Sequence, residues 1–196
     1  MKKLKFVTAT VTFFLALWIG ASMAARPDTQ GIEFAGEFPS PLLDVDALTT
    51  SGGANVRTAL KITNNSSVAL RLSTYRAVLP ELVDARGEVV PFDYGTNRSR
   101  PPSPSDYPLL AAGQSLVIRT EANLTLRGAE LAWKGSDSIL GFWKVSPASG
   151  PYYFRLRYSQ QQPTAGPFAD GSKSLGEIWT GEGVTDAVTL PLKFPN

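Results

Sequence analysis

The sequence predicts an all-β domain behind an export leader, and three observations carry that prediction. First, 17 glycines and 15 prolines are spread through the 196 residues, so few stretches are long enough for an uninterrupted helix. Second, the runs between them alternate inward and outward residues. Val56, Thr58, Leu60 and Ile62 fall on alternate positions, as do Tyr152, Phe154, Leu156 and Tyr158, which is the period of a half-buried strand. Third, the opening residues have the three-part layout of a secretory signal.

That leader is expected over residues 1–24. Lys2, Lys3 and Lys5 form a positive start, Phe6 to Gly20 an apolar run, and Ser22 and Ala24 supply small residues at −3 and −1 for cleavage after Ala24. An uncleaved anchor is the alternative. The run is shorter than the ~20 apolar residues a spanning helix needs, and Thr8, Thr10 and Thr12 dilute it. No later segment is apolar enough to span. Cleavage leaves 172 residues, Ala25 to Asn196, one domain by size and long enough to bury a core. It also removes three of the 19 basic residues, leaving 16 against 17 acidic, a net charge of about −1. A basic stripe for nucleic acid is therefore not expected. With no cysteine, packing must hold an exported chain without disulfides.

The elements follow in order. Residues 25–42 read as an extended, polar, turn-rich N-terminal segment, and residues 43–194 as the domain. Leu43 to Leu48 is the first expected strand, followed by a Ser/Gly loop to Ala54 and the alternating strand Val56 to Ile62. Asn64-Asn65-Ser66-Ser67 is a turn, because Asn and Ser side chains bond their own backbone. Its fit to a glycosylation sequon, like that of Asn97 and Asn123, is read as turn chemistry. Val68 to Leu79 is expected to run as one strand until Pro80 breaks it. Leu82-Val83 and Val89-Val90 flank Asp84-Ala85-Arg86-Gly87, a hairpin turn with Gly at the positive-φ position. Tyr94 to Pro108 is a proline-stiffened loop, and Leu116 to Leu126 a strand after the Ala112-Gly113 turn. Gly128 to Pro147 holds Trp133 and Trp143 and room for two short strands. Tyr152 to Tyr158 is the clearest strand. Pro163 to Ser174 is a loop, and Ile178 to Thr180 with Val184 to Phe194 completes the domain. No repeat of fixed period occurs.

The absence of both histidine and cysteine excludes Ser-His-Asp and Cys-His catalysis and every imidazole or thiolate metal site. No Ser-x-x-Lys, phosphate-binding loop or dinucleotide fingerprint is present, and neither a cofactor nor a metal is expected. A carboxylate pair of the glycosidase kind would have to come from Asp93, Asp106, Glu121, Glu130 or Asp137. No spacing brings any two of these together, and solvated surface carboxylates are the stronger reading. Asp44-x-Asp46 offers two oxygen ligands towards the six to eight that calcium takes. Trp133, Trp143 and Trp179, if exposed together, would make a sugar-stacking face. Buried packing is the commoner use of Trp and the favoured one for Tyr152 and Tyr158. The segment Asn97 to Pro108 is the best candidate for partner contact, since its prolines lower the entropy cost of docking. Arg98, Arg100 and Tyr107 are residue types that partners grip, against the plainer reading of a stiff connecting loop.

Two stretches resemble immunoglobulin-like β-sandwich domains of bacterial exported proteins. Leu60-Lys61-Ile62-Thr63-Asn64-Asn65-Ser66-Ser67 resembles the second strand and its Asn-rich turn. Gly150-Pro151-Tyr152-Tyr153-Phe154 resembles the Gly-x-Tyr opening of the penultimate strand, where a tyrosine hydroxyl ties the corner to upstream backbone. The Asp84–Gly87 hairpin and the Ala112-Gly113-Gln114-Ser115 turn fall in the matching order. The order of turns is also similar to the BsuPI-type proteinase-inhibitor domain, although no inhibitory loop carries over residue by residue. Unlike antibody domains, the chain has no Cys pair. The resemblance implies a single antiparallel sandwich of seven to nine strands over residues 43–194. It says little about function, because sandwiches host many.

The expectation is an exported, periplasmic or secreted, non-enzymatic accessory or interaction module of the cell envelope, with a protein or a glycan as partner. A ligand binder for carbohydrate or a protease is the alternative, and a carboxylate-only hydrolase the third reading. The oligomeric state is not set by the sequence. Intact-mass analysis of the exported protein is expected to find Ala25 at its N-terminus; a retained leader would establish the anchor instead.

Overall fold

The computed structural model describes residues 31–49, 52–95, 100–135 and 139–194, so the leader, Arg98 and Asp137 lie outside the described residues. Within them the chain is all-β. The first strands are β1 (Ile32–Glu37), β2 (Leu48–Thr49), β3 (Gly53–Asn64), β4 (Leu70–Arg71), β5 (Val78–Val83) and β6 (Val89–Val90). Next come β7 (Phe92–Tyr94), β8 (Leu109–Leu110), β9 (Ser115–Arg127), β10 (Glu130–Gly135), β11 (Leu140–Lys144) and β12 (Tyr152–Gln160). The last are β13 (Thr164–Ala165), β14 (Leu175–Glu177), β15 (Gly181–Val184), β16 (Val188–Leu190) and β17 (Leu192–Lys193). Among the described residues no helix is long and apolar enough to cross a membrane.

Two sheets dominate. The larger has the order β1-β3-β9-β10-β11-β7, and the smaller the order β15-β12-β5-β6 with β16 also on β12. Pairing is antiparallel except between β2 and β17, which run parallel. The long strands β3 and β9 hold the larger sheet together in continuous register from Gly53 opposite Thr125 to Thr63 opposite Ser115. Their alternation sends Val56, Leu60, Ile62, Leu124 and Leu126 into the core and leaves Asn55, Arg57, Glu121 and Asn123 exposed. In the smaller sheet β12 buries Tyr152, Phe154, Leu156 and Tyr158.

Aromatic rings join the two sheets. Phe154 of β12 stacks on Trp133 of β10 at 5.6 Å and 16°. Trp133 meets Trp143 edge-on at 6.1 Å, and Trp143 meets Phe92 at 4.6 Å. At the other end Phe34, Tyr158 and Trp179 form a triangle with centroids 5.5–6.0 Å apart. Such offset and edge-on pairs add about 0.5–1.5 kcal/mol each beyond the area they bury. Gly141 sits directly opposite Trp133, and a Cβ there would run into the Phe92 ring, so only glycine lets Phe92 close over this part of the sheet.

Several expected boundaries move. The domain begins earlier than residue 43. Ile32 and Phe34 point inward from β1, which pairs with β3 from Ile32 opposite Asn64 to Glu37 opposite Ala59. Leu43 to Leu48 is not a continuous strand: Leu43 makes one bridge to Val56, and regular pairing resumes only at β2. Val68 to Leu79 is split between β4 and β5, because the Tyr158 hydroxyl accepts from Ser73 N (3.1 Å) and donates to Ser73 O (2.9 Å), taking backbone groups a strand would use. Pro80 lies inside β5, opposite Leu156. It is tolerated because β6 pairs only with Leu82 and Val83, which leaves β5 an edge at Pro80. The hairpin turn is as expected. Gly87 has φ +86°, and the Asp84 carboxylate accepts from the backbone N–H of Arg86 (2.9 Å) and Glu88 (3.0 Å).

The tyrosine at the β11–β12 corner makes the tie its motif implies. The Tyr152 hydroxyl accepts from Ser146 N at 2.7 Å and donates to Ser146 O at 3.1 Å. Tyr152→Phe keeps the ring and strips both bonds, leaving the part-buried Ser146 N–H unpaired while Ser146 O keeps its bond from Ser149 N at 3.1 Å. It is expected to cost roughly 1–3 kcal/mol in denaturant unfolding; a change within error would show that the corner does not depend on the hydroxyl.

Candidate functional site

Residues 100–108 of the proline-rich segment are tied to the rest of the fold. Arg100 grips the Asp106 carboxylate with both terminal guanidinium nitrogens, one at 2.7 Å, and its carbonyl accepts from the Tyr75 hydroxyl at 2.7 Å. Asp106 is 6% exposed and also accepts from Ser103 N (2.8 Å) and Ser103 Oγ (3.1 Å). Its own carbonyl takes bonds from Thr74 N and Oγ1. Tyr107 is 8% exposed, packs on Phe168 at 5.8 Å, and has its carbonyl held by Arg71 Nη1 at 2.7 Å. Arg100 is thus paired with Asp106 while its side chain stays largely exposed, whereas the Tyr107 ring is buried against the fold. The Arg100 guanidinium, with help from Ser103 and against the effect of burial, holds the Asp106 carboxyl below the ordinary range.

The three tryptophans form no exposed face. Trp133, Trp143 and Trp179 are 1%, 0% and 7% exposed, and their indole nitrogens are buried with no hydrogen-bond partner among the described residues. Packing outweighs that loss. Burying some 150–250 Å² of ring gains roughly 4–6 kcal/mol, against about 1–3 kcal/mol for an unpaired N–H. The rings therefore serve the core.

The carboxylates raised by the sequence are dispersed. Glu121 faces Arg57 at 3.6 Å across two exposed side chains, Asp106 is clamped, and Asp93 and Glu130 are solvent-facing. Asp44 accepts from Asn55 N (3.0 Å) and Nδ2 (2.9 Å). Among the described residues no group of three or more acidic side chains is placed to hold a metal ion.

The outer face of the larger sheet carries several shallow depressions. The pairing register sets its side chains in rows across the strands. One row is Asn55, Asn123, Lys134 and Leu140, polar and exposed up to Lys134. The next is Gly53, Thr125, Ala132 and Phe142, where the last three are half-buried. Beyond it lie Arg127, Glu130 and Lys144, all exposed. Small residues thus floor a trough with polar walls on both sides and the Phe142 ring at one end. Trp143, next in sequence, points the opposite way into the core.

The walls are pre-positioned. Asn123 Nδ2 donates to Asn55 Oδ1 at 3.2 Å, and Thr125 Oγ1 donates to Asn123 Oδ1 at 3.1 Å. With the Asp44–Asn55 bonds these make one chain of side-chain hydrogen bonds across three segments. Depressions of about 340–480 Å³ run over this face; three of them are lined by Arg57 and two by Asn123. Four cations line them (Arg57, Arg119, Arg127, Lys134), matched by four anions (Glu37, Asp44, Glu121, Glu130). Sequence reading missed this site because its residues are scattered over four strands and meet only through register. The outward parity of Asn55, Arg57, Glu121 and Asn123 was its one available signal.

No protein-family model matches the chain, and no curated protein matches it.

The Asp106 clamp makes an acid-stability prediction. A depressed carboxyl contributes stability that is present above its ordinary pKa of 3.8 and lost as pH falls through the lower folded value. Asp106→Asn is expected to destabilise by roughly 1–3 kcal/mol at neutral pH and to flatten the loss of stability at acid pH. Unfolding curves of both proteins across that range check it, and an identical acid limb refutes the clamp.

Proposed function

We propose that this protein is an exported, non-enzymatic interaction module of the cell envelope, an immunoglobulin-like β-sandwich that engages its partner with the outer face of its larger sheet. The observation that carries the reading is the trough, with its registered polar walls seated on the two longest strands of the molecule. A site on strands is held more firmly than one on loops. The sandwich reading is supported by the inter-sheet aromatic contacts, by the strand orders β1-β3-β9-β10 and β15-β12-β5-β6, and by the Tyr152 corner. Export is supported by the leader's three-part layout. A non-enzymatic role is supported by a composition without His or Cys and by carboxylates already engaged by Arg57 or Arg100.

The test is affinity capture from envelope and culture fractions, covering both protein and glycan. The native protein is compared with an Asn55→Ala/Asn123→Ala double variant and, as a control on the arch, with Arg100→Ala. The expected outcome is a specific partner retained by the native protein and by Arg100→Ala, and lost by the double variant. Capture unchanged by the double variant, or lost only with Arg100→Ala, would overturn this assignment of the face.

A further inference from the structure

We infer that the free edge of β1 docks an extended segment of a second protein, added to the larger sheet as an antiparallel strand with lysine or arginine on alternate positions.

The hydrogen-bond pattern defines the edge. Asn65 N donates to Gly31 O at 2.7 Å, so these two residues form a bonded pair just ahead of β1. Antiparallel ladders alternate bonded pairs with unbonded ones. The register then makes Glu33 with Thr63, Ala35 with Lys61 and Glu37 with Ala59 the bonded pairs. Ile32, Phe34 and Gly36 therefore turn their N–H and C=O away from β3. Asn64 has the matching parity, since its backbone bonds run the other way, to Gly113 and Gln114. No strand lies on the far side of β1, and those outward N–H and C=O groups meet no partner among the described residues. Nor does β15 fill the place. It pairs with β12 in the other sheet, and its Gly183 lies against the inward-pointing Phe34 ring.

Proteins usually blunt exposed strand edges, and the others here are blunted. β6 has 2 residues and β7 has 3. β15 has 4, two of them glycine, and β5 carries Pro80. By contrast β1 has 6 residues and no proline. A strand added there gains main-chain hydrogen bonds for affinity, while its alternate side chains set specificity.

The side chains on the edge select the partner's chemistry. Glu33, Ala35 and Glu37 alternate with the outward-turned groups and are exposed. Towards an added antiparallel strand they occupy the unbonded positions, where opposite side chains come closest, about 4.5–5.5 Å between Cβ atoms. Cations opposite Glu33 and Glu37 would be favoured and anions opposed. The partner's intervening residues would lie on the side of Ile32 and Phe34, where apolar groups fit. The same two glutamates disfavour a second copy of this chain, because two β1 strands would line one seam with carboxylates.

The experiment is an NMR titration of the isotope-labelled protein with a capped heptapeptide alternating valine and lysine, and with its valine–glutamate counterpart. The lysine peptide is expected to bind, with shifted signals and slowed exchange at the amides of Ile32, Phe34 and Gly36, and the glutamate peptide to bind at least roughly tenfold more weakly. Glu33→Lys/Glu37→Lys, two exposed positions, is expected to reverse that preference. Glu130→Lys, on the same sheet but away from β1, is expected to leave it unchanged. Methylating the valine amide nitrogens of the lysine peptide is expected to abolish binding, because those N–H groups are the ones that face β1. Thermal melts establish that each variant remains folded.

Equal binding of the two peptides, binding that survives methylation, or unmoved amides on β1 would overturn the inference. A dimer in sedimentation with those amides protected would place a second copy on the edge and overturn the assigned partner. Asn55→Ala/Asn123→Ala is expected to leave peptide binding intact, so the edge and the trough stand or fall separately.

Discussion

The structure depends on one contact between its sheets, the stack of Phe154 on Trp133. A chain without cysteine has no covalent link to hold two sheets in place, so side-chain packing between them must do so, with β3, β9 and β12 all sending residues into one shared core. The stack supplies the connection, and the other rings extend it. Trp143 and Phe92 carry it to the edge of the larger sheet, while Phe34, Tyr158 and Trp179 repeat it at the opposite end. The Tyr152 and Tyr158 hydroxyls add directional ties from β12 to the neighbouring turns, so one strand carries both the packing and the polar anchoring.

That use of aromatics shapes what the surface offers. Three tryptophans that would suit a sugar-stacking face are consumed inside, as is the Tyr107 ring. The outer face of the larger sheet is left with short polar side chains and one half-buried phenylalanine. Such groups are individually weak, but β3, β9 and β10 hold them in fixed register with few rotamers to lose, and their mutual hydrogen bonds orient them before anything arrives.

Much of the fold was legible because strand alternation is a local property. The all-β class, the β3, β9 and β12 strands and the Asp84–Gly87 hairpin follow from period, glycine and proline, whereas Gly128 to Pro147 offered only room for the two strands found there. The misplaced boundaries have non-local causes. Ile32 and Phe34 become a strand because β3 offers an open edge. Pro80 survives in β5 because β6 stops two residues short of it. Val68 to Leu79 is interrupted by a hydroxyl from Tyr158, far along the chain. The candidate site was illegible for a stronger reason: its rows exist only once four strands are in register, and sequence alone does not give the register.

The parallel pairing of β2 with β17 bears on how the domain carries load. Leu48 donates from its backbone N–H to Pro191 O at 2.8 Å, and Leu192 and Lys193 lie opposite Leu48 and Thr49. Because the two strands point the same way, tension applied between the N-terminal and C-terminal sides of the domain slides one along the other. The bonds are then strained together instead of opening one after another. A small clasp of this kind resists pulling far better than its two residue pairs suggest.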